Sequence, residues 1–238
     1  MRSATLLHLA DVHLGLNGTQ DGSLEERAFS AAVDHAIDID VDAVLIVGDL
    51  FDHGRVTEDL LAWTAKELAR LECPVVLLVG NHDALDDGSV HERFRVVERC
   101  PNVTLVADPD GEIVGVPGTD VVVWGRAMVR HEQSFKPLAG VPEKPAGTWG
   151  VVAAHGLVLR SDRPSHHASP MRPAELAAIT WDYVALGHHH GHPVVRDDPC
   201  PVVYPGATAR SLGGQPGAVV VRLDEGTGAT VEWVPLPA

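Results

Sequence analysis

Aspartate and histidine recur in five short, ordered blocks along the chain. They are D-x-H at Asp11 and His13, G-D-x-x-D at Asp49 and Asp52, G-N-H-D at Asn81, His82 and Asp83, a single His155, and the run at His188, His189 and His190. Such a mixture of carboxylate, amide and imidazole suits Mn²⁺, Fe²⁺ or Zn²⁺ better than Mg²⁺ or Ca²⁺. No cysteine falls in a block, which argues against a structural thiolate zinc site. Each block alone also has an ordinary structural reading. D-x-H is a common turn or cap, GDLFD an Asx turn, GNHD a tight turn, His155 a satisfied core histidine, and a histidine run a solvated loop. Their joint order carries the chemistry.

The elements that must position these groups are legible as apolar runs ending at each block. ATLLHLA (4–10), AVLIVG (43–48) and PVVLLVG (74–80) read as strands. Between them, SLEERAFSAAVDHAID (23–38) opens with a capping box from Ser23 to Glu26. The segment 57–71 places Leu60, Leu61, Leu68 and Leu71 near helical spacing. Strand–helix alternation predicts right-handed crossovers and a parallel sheet, and ligands of such sheets bind beyond the carboxyl ends of the strands. Residues 89–100 read as one more helix. Beyond them NVTLVA, GEIVGV, TDVVVWGR, GVVAAHG, DYVALGHH, PVVYPGA, AVVVRL and TVEWVPL read as short strands between Gly, Pro and Asp turns. Segments 131–148 and 160–172 read as surface loops, with His166 and His167 in solvent. The expected organisation is a single domain over residues 1–238 with no evident capping domain.

Bulk properties narrow the field. The formal net charge of −15 argues against broad nucleic-acid binding, since phosphate contacts need cations. Bound dications would reverse that charge locally. The cations are mostly arginine, whose fork suits phosphate, with Lys66, Lys136 and Lys144 as the lysines. Three cysteines at scattered spacings give no disulfide framework, which fits a reducing, cytoplasmic compartment. Neither a signal segment nor a membrane span is expected.

The five blocks together resemble the calcineurin-like metallophosphoesterases, whose pattern is D-x-H, G-D-x-x-D, G-N-H-[DE], a lone H and G-H-x-H. The resemblance runs over about residues 5–210. HLADVHLG, VGDLFDHG and VVYPGATARS (202–211) make the chain most similar to the SbcD-type DNA-repair exonucleases. That resemblance implies an α/β fold, a four-layer α/β/β/α sandwich of two mixed sheets flanked by helices. It also implies two divalent ions, most simply Mn²⁺. Asp11, His13, Asp49 and His190 would hold one ion; Asn81, His155, His188 and the shared Asp49 would hold the other. His188 and His190, two apart on one face, would be ligands while His189 points away, and His192 would be loop. The implied reaction is in-line attack of a metal-bridging hydroxide on phosphorus. His82 would act as general acid and Asp52 would orient it.

His53 stands where the protein Ser/Thr phosphatase branch has arginine, which argues against that branch. Arg55 and Arg126 are open to phosphate contact or to surface salt bridges. Two substrate readings follow. One is an SbcD-type nuclease acting on DNA beside a coiled-coil ATPase, with residues 24–38 and 57–71 as a homodimer contact. The other is a stand-alone phosphodiesterase or phosphatase for a nucleotide or another small phosphoester, which the acidity and short chain favour. A non-enzymatic metal-binding subunit is the third reading, and the pairing of His82 with Asp52 weighs against it.

Overall fold

A computed structural model of the chain describes residues 1–16, 22–132, 134–161 and 169–236. The first half alternates as expected: β1 (Ala4–Leu9), α1 (Leu24–Asp38), β2 (Ala43–Val47), α2 (Glu58–Ala69), β3 (Val75–Leu78), α3 (Val90–Phe94), α4 (Val96–Arg99) and β4 (Val103–Val106). β5 (Glu112–Gly115), β6 (Val121–Gly125), β7 (Trp149–His155), β8 (Leu157–Val158) and β9 (Pro170–Met171) follow. Then come α5 (Pro173–Ala177), β10 (Tyr183–Gly187), β11 (Val194–Arg196), β12 (Val202–Val203), β13 (Gly217–Asp224) and β14 (Gly228–Pro235). His166 and His167 lie outside the described residues.

Two six-stranded mixed sheets form. The first has the order β14-β13-β1-β2-β3-β4 and the second β11-β12-β10-β7-β6-β5. β1 to β4 run parallel, while the β13–β14 hairpin is antiparallel and places β13 beside β1. In the second sheet β6, β7, β10 and β12 are parallel, with antiparallel edges β5 and β11. β8 and β9 pair separately.

Strand alternation sorts side chains between faces. Leu7, Leu9, Val44 and Ile46 turn outward onto α1 and α2, whereas Leu6, Leu45, Val47 and Leu78 turn inward against Val123, Val151, Tyr183 and Ala185 of the second sheet. Helix α1 presents Phe29, Ala32, Val33 and Ala36 to this core, an i, i+3, i+4, i+7 stripe. Its start is set by Ser23, whose Oγ accepts the Glu26 N–H at 3.1 Å. Thr57 caps α2 in the same way through the Leu60 N–H at 3.3 Å. On the outer face of the second sheet, Val152, Ala154, Val184 and Leu186 are covered by α5, Leu138, Ile179 and Trp181. That layer is mainly loop, with one short helix.

The single helix expected over 89–100 is broken in two. Arg95 adopts φ 46° and ψ 50°, closing α3 and opening α4. Phe94 and Val96 are both buried. In a continuous helix residues two apart point about 200° from each other, so the left-handed residue between them brings both side chains to the core.

His8 occupies an inward position of β1, fully buried, with Nδ1 2.8 Å from the Tyr183 hydroxyl. Burial pushes its pKa down to about 3. The unfolded chain therefore takes up a proton below about pH 6.5 that the folded chain refuses until about pH 3. Stability is lost as pH falls through that window, by about 1.4 kcal/mol per pH unit. Urea unfolding between pH 6.5 and 5 is expected to show a pH slope flatter in His8→Gln than in the wild type by about this amount.

Candidate metal centre

The C-terminal ends of five parallel strands meet at one edge of the two sheets. β1, β2 and β3 lead into Asp11 and His13, Asp49, and Asn81 and His82; β7 ends on His155, and β10 leads into His188 and His190. The first sheet thus delivers the carboxylates, the amide and the His13 imidazole, and the second delivers three further imidazoles.

Three three-residue groups assemble there: Asp11 with His13 and His190, Asp49 with His155 and His188, and His13 with Asp52 and His82. In the first, His13 Nε2 is 4.0 Å and His190 Nε2 is 3.9 Å from Asp11 Oδ1. In the second, His155 Nε2 lies 3.3 Å from Asp49 Oδ2. Asp49 joins the groups, since the same Oδ2 is 3.6 Å from His13 Nε2. Asn81 Oδ1 stands between His155 Nε2 at 3.1 Å and His188 Nδ1 at 2.8 Å. All seven residues anticipated as ligands are therefore brought together.

The donor set fits divalent cations on its own geometry. Three rings tie one nitrogen outward and turn the other inward: His13 Nδ1 to Asp52 Oδ1 at 2.9 Å, His155 Nδ1 to the Val47 carbonyl at 2.9 Å, and His190 Nδ1 to the Leu212 carbonyl at 3.1 Å. Metal-binding imidazoles are held by this kind of outer hydrogen bond. His13 Nε2 is buried with no hydrogen-bond partner. Such a group is costly unless something fills the space it faces.

The backbone is strained where these groups leave the strands. Asp11, His13, Asp49 and His188 have φ of 52°, 52°, 54° and 98°, four of the seven left-handed non-glycine positions among the described residues. Each costs on the order of 1–3 kcal/mol and persists where its surroundings over-determine it. β10 ends at Gly187, so the facing of His188 and His190 comes from this bend and not from strand alternation. His188 donates its backbone N–H to both oxygens of Asp11, at 3.1 and 3.0 Å.

Electrostatics follow from burying two carboxylates among imidazoles. Burial raises Asp11 to about 7 against the pull of His155. Burial is the largest single influence on Asp49 and opposes its ionisation, but His155, His13 and the His82 N–H together outweigh it and hold Asp49 below its ordinary value. Burial would lower His155, yet Asp49 and Asp11 carry it up to about 9. His188 moves the other way, down to about 4, chiefly through burial and then through His155.

His82 stands at the mouth with its side chain 42% exposed and its ring edge against His13 at 4.6 Å. Its Nδ1 meets the Asp52 backbone carbonyl at 2.8 Å and the Asp52 carboxylate at 3.4 Å. The closest partner of the Asp52 carboxylate is His13, so this side chain orients the candidate ligand first and His82 second.

Residues not anticipated from the sequence brace the site. Tyr204 donates its hydroxyl to the Gly156 carbonyl at 2.7 Å and accepts the Val158 N–H at 2.9 Å, fixing the turn after His155. Thr208 Oγ1 donates to the Ala10 carbonyl at 3.1 Å, beside Asp11. Both belong to the VVYPGATARS block, which served above only as a mark of resemblance. His192 bonds the Tyr204 carbonyl at 2.7 Å and stacks on Trp233, while exposed His189 accepts the Gly191 N–H at 3.0 Å. Arg126 spends its guanidinium on the carbonyls of Pro109 and Lys136 and lies over Phe135, which favours a structural role.

Gly48 has φ +86°, and a Cβ there would lie 2.0 Å from His155 Nδ1. Gly48→Ala is expected to displace His155 and weaken Mn²⁺ binding on the order of tenfold or more, with helical circular dichroism retained. Isothermal titration calorimetry reads the loss.

Residues 4–192 match the family described as calcineurin-like phosphoesterase, and the chain belongs to it. It is 31% identical over 218 residues to the DNA double-strand break repair protein Mre11 of Haloferax volcanii, covering 87% of this chain and 46% of that protein. It is 25% identical over 181 residues to a probable cyclic nucleotide phosphodiesterase of Moraxella catarrhalis, covering 66% of this chain and 63% of that protein. The chain spans about half or less of the length of the Mre11 relatives it matches. A solved structure from Thermus thermophilus, TT1561, shares the fold with a TM-score of 0.62 at 16% identity, covering 99% of this chain and all of that one. Among the described residues no helix is long and apolar enough to cross a membrane, and Cys73, Cys100 and Cys200 are free thiols.

Proposed function

We propose that the chain is a dinuclear metal-dependent phosphodiesterase of the SbcD/Mre11 type, hydrolysing DNA. The carrying observation is the pair of ligand clusters joined by Asp49 with an exposed, oriented imidazole, His82, at their mouth. Divalent ions held by Asp11, His13, Asp49 and His190 and by Asp49, Asn81, His155 and His188 would supply a water of lowered pKa and neutralise charge on the phosphoryl oxygens. Mn²⁺ suits this mixture of nitrogen and oxygen donors. His82 keeps Nδ1 on Asp52, leaving Nε2 to protonate the departing alkoxide. Asp52 holds both His13 and His82, so the acid and the first ligand keep a fixed relation. The similarity to the Haloferax Mre11 over most of this chain supports DNA as substrate. On this reading its partners are a coiled-coil ATPase and a second copy of the chain docked through α1 and α2, in the cytoplasm, and one domain spans residues 1–238.

The net charge of −15 favours a second reading, a phosphodiesterase for small substrates. The relative named as a cyclic nucleotide phosphodiesterase supports it as well. The two are separated by assaying the Mn²⁺-loaded chain on a bis-aryl phosphodiester, an aryl phosphomonoester, and single- and double-stranded DNA, with His82→Ala as control. Degradation of DNA that the variant abolishes supports the nuclease. Turnover of small diesters with DNA untouched replaces it with the second reading. No turnover of any substrate with metal bound removes the enzymatic proposal.

A further inference from the structure

Asp83 follows His82 in sequence and takes no part in the ligand set, yet it is buried and its carboxylate collects four backbone N–H groups. Oδ1 accepts from Gly80 at 2.7 Å and Asp49 at 3.3 Å; Oδ2 accepts from Leu50 at 2.9 Å and Phe51 at 3.3 Å. In return Asp49 Oδ1 accepts the His82 N–H at 2.9 Å. The turns after β2 and β3 thus grip each other: Asp83 holds three amides of the β2 turn besides Gly80 of its own, and Asp49 holds one amide of the β3 turn. Gly80 lies at the point of closest approach, where a Cβ would sit 2.1 Å from Asp49 Oδ1. Behind the clasp, His91 of α3 places Nε2 3.4 Å from Asp83 Oδ2 and packs its ring edge-on against Phe51. The left-handed backbone of Asp49 is held on both sides by these contacts.

We propose that Asp83, backed by His91, is a positioning residue that fixes the Asp49 carboxylate so that one side chain serves both ligand clusters. The proposal rests on the dinuclear reading above. Asparagine at position 83 keeps the shape but turns an NH₂ group toward backbone N–H donors, so part of the clasp loses its acceptor. Asp49 is then free to serve one cluster only, and the second ion is held weakly.

The test compares wild type, Asp83→Asn and a remote core variant, Leu61→Ala, by Mn²⁺ calorimetry and electron paramagnetic resonance. Wild type is expected to bind two ions with a spin-coupled spectrum. Asp83→Asn is expected to hold the second ion on the order of tenfold or more weakly and to show the spectrum of an isolated ion. Leu61→Ala, which loses stability in the fully buried face of α2, is expected to keep both ions coupled. Loss of coupling in Leu61→Ala as well would reduce the effect to general destabilisation and overturn the proposal. Identical binding and spectra in wild type and Asp83→Asn overturn it too. A wild type that binds a single ion overturns the dinuclear reading and the proposal with it. Should Asp83→Asn fail to fold, His91→Phe decides, since it keeps the ring packing on Phe51 while removing the group behind the carboxylate. Weaker binding of the second ion in that variant supports the proposal, and unchanged binding overturns it.

Discussion

Replacing His82 with alanine is expected to lower kcat on an alkyl phosphodiester by about 10²- to 10⁴-fold, the usual contribution of a positioned general acid, while two Mn²⁺ ions remain bound. The separation of the two readouts follows from the geometry. His82 contacts Asp49 through its backbone N–H, which alanine keeps, and contacts Asp52 through its ring, which alanine removes. His13 retains its own 2.9 Å contact to Asp52, so the first cluster stays oriented. The size of the loss should depend on the leaving group. An alkoxide needs a proton as it departs, whereas an activated aryl oxide leaves readily without one. Comparing alkyl and aryl diesters in wild type and variant checks this. A loss equal for both substrates would reassign His82 from proton donor to phosphate binding, and loss of metal together with activity would remove it from the acid role altogether.

Asp49→Asn should affect both clusters at once, because one carboxylate oxygen lies 3.3 Å from His155 Nε2 and 3.6 Å from His13 Nε2. Mn²⁺ affinity is expected to fall by more than about 100-fold, beyond the usual penalty for an outer hydrogen-bond partner, and diester hydrolysis should fall with it. Proton counting gives an independent readout. Burial favours neutral His155, but Asp49 and Asp11 raise it to about 9, so at neutral pH the metal-free ring is charged. Metal uptake must expel that proton. Calorimetry in two buffers of different ionisation enthalpy should register the release in wild type and less of it in Asp49→Asn. The sign for stability is that of a raised histidine. The His155 contribution is full below about pH 6.5 and is lost as pH rises toward about 9. The metal-free wild type should weaken across that window, and the variant should not. Equal proton release in both proteins would show that His155 is neutral before metal arrives.

Much of this arrangement was legible because parallel strands end where the chain must turn, and the turns carry polar residues of few types. The runs at 4–10, 43–48 and 74–80 define three strands and so the edge where Asp11, Asp49 and Asn81 gather. Period alone could not show that the β13–β14 hairpin would return beside β1, since that pairing joins residues more than two hundred positions apart. Nor could it show the left-handed Arg95, which depends on Phe94 and Val96 both reaching one core. The short strands β8, β9 and β11 and the five-residue α5 are too brief to leave a periodic signal. Within the site, the resemblance in motifs implied the seven candidate ligands but not the hierarchy of contacts. That the Asp52 carboxylate meets His13 more closely than His82, and that Asp83 gathers amides from both turns, are facts of distance. Asp83 was visible as the last letter of G-N-H-D, but an aspartate in a turn offers no sign that its partners lie more than thirty residues upstream.

The division of the cluster between the sheets has a mechanical side. Carboxylates from one sheet and imidazoles from the other meet only at the C-terminal edge, through contacts such as Asp49 to His155 and Asp11 to the His188 amide. Force applied across β1 and β10 would load these few polar contacts first at that edge, while the apolar layer behind them carries the remainder. A loaded cluster would act there as a rivet, raising the rupture force for that direction of pull and leaving resistance to peeling β14 from its outer edge unchanged.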